Sequence, residues 1–269
     1  MGKRLLLITL AMIFVTALIS GCGAATPTEE ASSEETTLPT ADLEAIREKI
    51  DAGDYAGVPQ ALEAIIAQDE EDAEAHFLLG LAYFNVNNYE KAREAFERTL
   101  ALDPQRAAAV HHNLGALAYQ TGDLQTAVDE FNAALTADPD DPDSHYQLGA
   151  TYLIMALPAN SLTPDQSMVV KAQEEFEKAL ELSPGKPEAL VGMGNVHLLQ
   201  NQVEEAISFL EEAVEQNPEM PEALFALGRT YAASGDVENA KATLQRFLES
   251  NPPEVWAQQA QEILTQLGE

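Results

Sequence analysis

Positive charge is scarce in this chain. Against 45 Asp and Glu stand only 14 Lys and Arg, a formal net charge of −31 over 269 residues. Nucleic acid and anionic headgroups need a positive patch, so they are poor partners for such a surface. Basic proteins, cations and apolar ligands are easier to accommodate. Cysteine is nearly absent. Cys22 is the single one, so no intrachain disulfide can form. The usual catalytic signatures are missing as well: there is no G-x-S-x-G stretch, no phosphate-binding glycine loop and no H-E-x-x-H. Carboxylates are spread along the chain rather than gathered. Asp138–Asp143, DPDDPD, is acidic enough to suggest calcium, yet it lacks the glycine at the sixth loop position and the closing Glu that such a loop needs. An enzyme is therefore not expected, and no cofactor or metal is.

What is present begins with an address. Lys3 and Arg4 precede an apolar run, Leu5–Ile19, and Ile19-Ser20-Gly21 leads into Cys22. A basic start, a short apolar run and small residues make an export signal. At 15 residues the run is shorter than the roughly 20 of a membrane span. The pattern resembles a bacterial lipoprotein signal. That resemblance implies cleavage after residue 21, a diacylglyceryl group on the Cys22 thiol, and a chain held on the extracytoplasmic side of an envelope membrane. Gly23–Thr40, GAATPTEEASSEETTLPT, has too few large apolar residues to fold and reads as an acidic tether. Residues 1–21, 22–40 and 41–269 are thus expected to be signal, lipidated tether and folded domain.

The folded part is periodic. Gly80, Gly115, Gly149, Gly194 and Gly228 follow one another at intervals of 35, 34, 45 and 34 residues. Ala92, Ala127, Ala172, Ala206 and Ala240 keep the same intervals, as do Pro104, Pro139, Pro184, Pro218 and Pro252. Glycine and alanine permit close helix approach, and proline marks the break between units. Turn residues separate the two helices of a unit: Asn87-Asn88, Gly122-Asp123, Asn201-Gln202 and Gly235-Asp236. In Ala73–Arg106, Leu79, Gly80, Tyr83, Ala92, Phe96 and Pro104 resemble the tetratricopeptide repeat in both residue type and spacing. The resemblance implies an all-α fold, a right-handed superhelical solenoid of antiparallel helix pairs. Its full units are 73–107, 108–141, 142–186, 187–220 and 221–254. A degenerate unit, 41–72, precedes them, with Ile46 where glycine would stand and Glu70 in place of proline. A helix over 255–267 is expected to cap the last unit through Trp256. The unit 142–186 carries 11 extra residues between Gly149 and Ala172. There the spacing predicts a first helix to about Ala156, a loop over Pro158–Leu162, and a lengthened second helix that Thr163 caps.

Three histidines, His76, His111 and His145, share one repeat position. Stacked repeats set such positions about 10 Å apart, too far to share a metal bound at about 2 Å, so they are expected at the edge of the core. The leftover feature is a second apolar stripe on each first helix. It comprises Phe77, Leu81 and Phe84, then His112 and Tyr119, Tyr146 and Leu153, Val191, Asn195 and Leu198, and finally Phe225 and Arg229. The family resemblance places this stripe in the concave groove, the usual peptide-binding surface. The expected function is a membrane-anchored scaffold that holds a segment of another envelope protein, its acidic rim favouring basic or neutral partners. The competing reading is a carrier of a lipid or other apolar small molecule in the same groove. Neither the oligomeric state nor the choice of membrane can be read from these residues.

Overall fold

The computed structural model describes residues 43–157 and 163–268. The signal at Met1–Cys22, the tether at Gly23–Thr40 and the loop Pro158–Leu162 lie outside the described residues. Among the described residues the regular structure is entirely helical, and contacts divide it into two compact units that meet in sequence at Pro139 and Asp140. The N-terminal unit holds α1 (Leu43–Asp51), α2 (Val58–Ile66), α3 (Ala73–Asn85), α4 (Tyr89–Leu102), a 3₁₀ turn (Pro104–Arg106), α5 (Ala107–Thr121) and α6 (Leu124–Ala137). The C-terminal unit holds α7 (Pro142–Met155), α8 (Gln166–Leu182), α9 (Pro187–Leu199), α10 (Val203–Gln216), α11 (Pro221–Ser234), α12 (Val237–Glu249) and α13 (Glu254–Gln266). Each unit is a stack of antiparallel helix pairs, the repeat architecture expected from the spacing.

The marker residues explain the pairing. A Cβ on Gly115 would lie 2.7 Å from the Phe131 ring, closer than real Cβ atoms come, so only glycine lets α6 seat its ring on α5. The same contact recurs at Gly80 on Phe96 and at Gly149 on Phe176, and with leucine at Gly194 on Leu210 and Gly228 on Leu244. Ala92, Ala127, Ala172, Ala206 and Ala240 are fully buried beside these contacts. The turns inside the pairs use left-handed backbone, at φ 60° for Asn87, 80° for Gly122, 63° for Asn201 and 92° for Gly235. Asn and Gly are the residues that adopt it most readily. The following residue then caps the second helix: Asn88, Asp123 and Asp236 each accept a hydrogen bond from a backbone N–H of the first turn. The Thr126 hydroxyl and N–H hold the Asp123 carboxyl below the usual carboxylate range.

Side-chain links of two kinds join successive pairs within each unit. The Tyr83 hydroxyl donates to Glu63, and the Tyr231 hydroxyl donates to Glu211 in the equivalent place. Arg98 donates to the Glu70 carbonyl, and Arg246 to the Pro218 carbonyl, each reaching back 28 residues. The degenerate first pair, α1 and α2, has nine residues in each helix and buries Ile46, Val58 and Leu62 against the next pair. At the far end α13 covers the last pair as expected. Trp256 stacks on Phe225 at 5.8 Å and on Phe247 at 6.3 Å between ring centroids.

The third full repeat has the lengthened second helix: α8 runs 17 residues against 14 in α4 and α6. Its start differs from expectation. Asp165, not Thr163, is the cap, because its carboxylate accepts from the Ser167 N–H and the helix opens at Gln166. Leu157 and Met168 pack against the core of this pair.

Candidate functional site

The inner helices α7, α9 and α11 of the C-terminal unit lie side by side, α9 touching both of the others. Between them is a narrow cleft with an interior of about 20 Å³. Its apolar wall comes from Tyr146, Ala150 and Leu153 of α7, Val191 and Gly192 of α9, Phe176 of α8, and Met220 just before α11. Glu188, Asn195 and Glu222 also line it, although its exposed lining is almost wholly apolar. Phe176 is the floor: a Cβ on either Gly149 or Gly192 would fall within 3 Å of its ring, so the ring is sandwiched between two bare stretches of helix backbone. Tyr146 leans over it with centroids 6.0 Å apart. The Lys186 ammonium sits 5.8 Å above the Tyr146 ring, donates to Asp143 at 2.6 Å and lies 3.8 Å from Glu188.

The expected stripe is only partly surface. Tyr146 is half-buried at the cleft, and Leu153, Val191 and Asn195 line it, although each of these three is under a tenth exposed. Leu198 and Phe225 are buried too, Phe225 beneath Trp256. Arg229 is 1% exposed, and its Nη2 donates to the Asn195 Oδ1 at 2.5 Å. Burial draws its guanidinium pKa down to about 9, so it stays charged at neutral pH. The open apolar stripe expected over α9 and α11 is thus corrected to a narrow cleft. After their first turns these helices bury residues on every side, Ala189–Val196 and Ala223–Tyr231, so they sit in an interior rather than at a surface.

In the N-terminal unit Phe77, Leu81 and Phe84 are half-buried and pack on the core edge. Phe77 meets Phe96 at 5.9 Å and carries the Arg106 guanidinium 5.6 Å over its ring, while Phe84 meets Tyr89 at 5.9 Å. Arg106 is itself held by Glu74, which also accepts from Arg47. His112 is half-buried, edge-on to Phe131 at 5.8 Å, and Tyr119 is buried. Burial raises the Tyr119 hydroxyl pKa, so it stays protonated. The three in-phase histidines take their expected places: His111 and His145 bond Glu130 and Glu175 at 2.7 and 2.6 Å, each within its own helix pair, and His76 meets the Glu70 carbonyl at 3.2 Å. Among the described residues no group of His, Cys, Asp and Glu could hold a metal ion.

Several cleft residues escaped the sequence reading. Gly192 stands two before a marker glycine, where other repeats carry Leu78, Asn113, Gln147 and Ala226. Glu188 and Glu222 stand six before a marker, as do Glu74 and Asp143. That position lies one turn before the stripe residue on the same face, so a recurring acid beside the groove was there to be found.

Models of the tetratricopeptide repeat match residues 43–107 and 81–142, and again 165–219 and 198–262. The chain belongs to the tetratricopeptide repeat family. As a member it is a protein–protein interaction scaffold. Solved tetratricopeptide structures share the fold. One is described as "Functional Characterization of Pseudomonas Aeruginosa pilF", at 19% identity and TM-score 0.66, covering 82% of this chain and 95% of that one. Another is PilW, a "widely conserved type IV pilus biogenesis factor", at 18% identity and TM-score 0.66, covering 80% and 94%. A third is YrrB, "a TPR protein with an unusual peptide-binding site", at 24% identity and TM-score 0.53, covering 76% and 99%. Among curated proteins, 119 residues are 29% identical to the probable UDP-N-acetylglucosamine–peptide N-acetylglucosaminyltransferase SPINDLY of Arabidopsis thaliana, covering 44% of this chain. A second match, over 170 residues, is 25% identical to the DnaJ protein P58IPK homolog B of Oryza sativa subsp. japonica, covering 58% of this chain. The tetratricopeptide chain spans only 12% and 34% of the length of these two relatives.

Proposed function

We propose that this tetratricopeptide protein is a lipid-anchored scaffold on the extracytoplasmic side of a bacterial envelope membrane, and that it holds a peptide segment of another envelope protein along its inner helices. The observation that carries the binding reading is the apolar cleft over Phe176. Maintaining it takes a glycine, Gly192, at a position where the other repeats have side chains. The cleft is a narrow slit with room for little more than a water molecule, so a partner segment would rest on its apolar mouth, and a lipid chain has no tunnel to enter. The anchor reading rests on Lys3, Arg4, the run Leu5–Ile19 and Cys22. The structural relative PilW is described as a type IV pilus biogenesis factor, and an assembly role of that kind is one form a scaffold could take.

The binding surface is tested by recovering partners from envelope extract with the wild type and with Tyr146→Asp plus Phe84→Asp. Loss of recovered partners from the double variant is the expected outcome, and identical recovery would sink the groove assignment. The anchor has its own test. Cys22→Ser is expected to release or misprocess the protein, whereas unchanged membrane retention together with unchanged mass refutes lipidation.

A further inference from the structure

We infer that the cleft over Phe176 selects one kind of segment: an apolar side chain flanked by lysine or arginine. This rests on the groove reading above and narrows it to a partner chemistry. The wall of the cleft is apolar, and the acidic residues along it are Glu188 and Glu222, on α9 and α11, both half-buried. Each stands in the first turn of its helix, three residues before a stripe position, Val191 and Phe225, so the repeat places both along one side of the inner helices. Asp143 occupies the same place on α7.

The cations nearby do not cancel this rim. Lys186 is committed chiefly to Asp143, at 2.6 Å, and its 3.8 Å approach to Glu188 leaves that carboxylate 44% exposed. Arg229 lies a layer deeper, held by Asn195, with 1% of its surface reaching solvent. A visiting segment therefore meets apolar wall first and two carboxylates beside it. A Leu or Phe side chain laid across the mouth, against the half-buried Tyr146 and Met220, gains from burial. A lysine or arginine one turn or one strand position away answers Glu188 or Glu222, and a carboxylate there is repelled. Neither effect depends on the peptide being helical or extended. Charge at the edge of an apolar contact decides between partners more than it adds raw affinity.

The test uses the full chain solubilised in detergent and three synthetic 11-residue peptides, N-acetylated and C-amidated, that share a central Leu-Phe. The flanking residues are lysine in the first, glutamine in the second and glutamate in the third. By titration calorimetry the lysine peptide is expected to bind about tenfold or more tighter than the glutamate peptide, with the glutamine peptide between, and the gap should shrink as salt is raised. Glu188→Gln with Glu222→Gln is expected to close most of the gap and leave the glutamine peptide unchanged. Glu204→Gln with Glu205→Gln, in the exposed first turn of the outer helix α10, is expected to leave the gap as it is. Equal affinity for all three peptides, abolished by Tyr146→Asp, overturns the rim selectivity while the groove stands. A gap that the α10 pair closes as well as the rim pair also overturns it, since overall charge would then be the cause. No binding of any peptide overturns both the selectivity and the groove.

Discussion

Replacing Trp256 with alanine is expected to unravel the end of the C-terminal unit. The indole is 7% exposed and stacks on Phe225 and Phe247, and these two rings are themselves 5.0 Å apart. The three form one aromatic cluster made by α11, α12 and α13. Truncating a buried aromatic of this size costs about 3–5 kcal/mol, from lost burial and from the cavity left behind. In a repeat stack each pair draws stability from its neighbours, so the loss is local before it is global. Hydrogen exchange should show α11–α13 amides losing protection by several kcal/mol while the amides of α3–α6 keep theirs. Trp256→Phe should retain most of the protection. Equal loss in both units, or no loss at all, would show that α13 does not act as a cap.

The second large effect is at the glycine–aromatic contact of the N-terminal unit. Gly115→Ala is expected to destabilise although alanine is the better helix former by about 1 kcal/mol. The new methyl would lie 2.7 Å from the Phe131 ring, which is fully buried and cannot swing away, and overpacking of this kind costs about 1–3 kcal/mol. Phe131→Ala should cost about 3–5 kcal/mol by opening a cavity. The double variant is the decisive measurement. Its loss should fall short of the sum of the two single losses by about 1 kcal/mol or more, because the methyl then occupies the space the ring left. Strict additivity in thermal or denaturant unfolding would mean that the glycine serves something other than the ring.

Much of the fold was legible because the repeat places its marks where geometry demands them. Gly115 and Phe131 read correctly from spacing alone, since a ring seated on a helix backbone tolerates no Cβ. The turns at Asn87, Gly122, Asn201 and Gly235 were legible for a similar reason: left-handed backbone restricts the choice of residue. The start of α8 was misplaced by two residues because Thr163 and Asp165 are both competent caps, and the choice depends on where the chain returns from residue 157; the Asp165 N–H donates to the Ala156 carbonyl there. The site was less legible. A stripe at helical spacing tells which residues share a face, but not how closely the neighbouring helix covers that face. Val191, Leu198 and Phe225 look like Phe77 and Phe84 in sequence, yet they are buried where the latter are half-buried. Phe225 owes this to Trp256, 31 residues away and outside the repeat frame. The acids at Glu188 and Glu222 were visible but lay outside the apolar pattern, where an acid near a helix start has a ready local explanation in the helix dipole.

Phe176 belongs to two structures at once. Its ring is core packing between Gly149 and Gly192, and its edge is the floor of the cleft. Natural variation cannot reshape that floor without also loosening the repeat that carries it. Glu188 and Glu222 have no such double duty, being at the cleft but only half-buried. Drift among descendants of this chain is therefore channelled: the floor should persist while the rim diversifies, so that new partners are acquired by changing what surrounds a contact point that itself stays fixed.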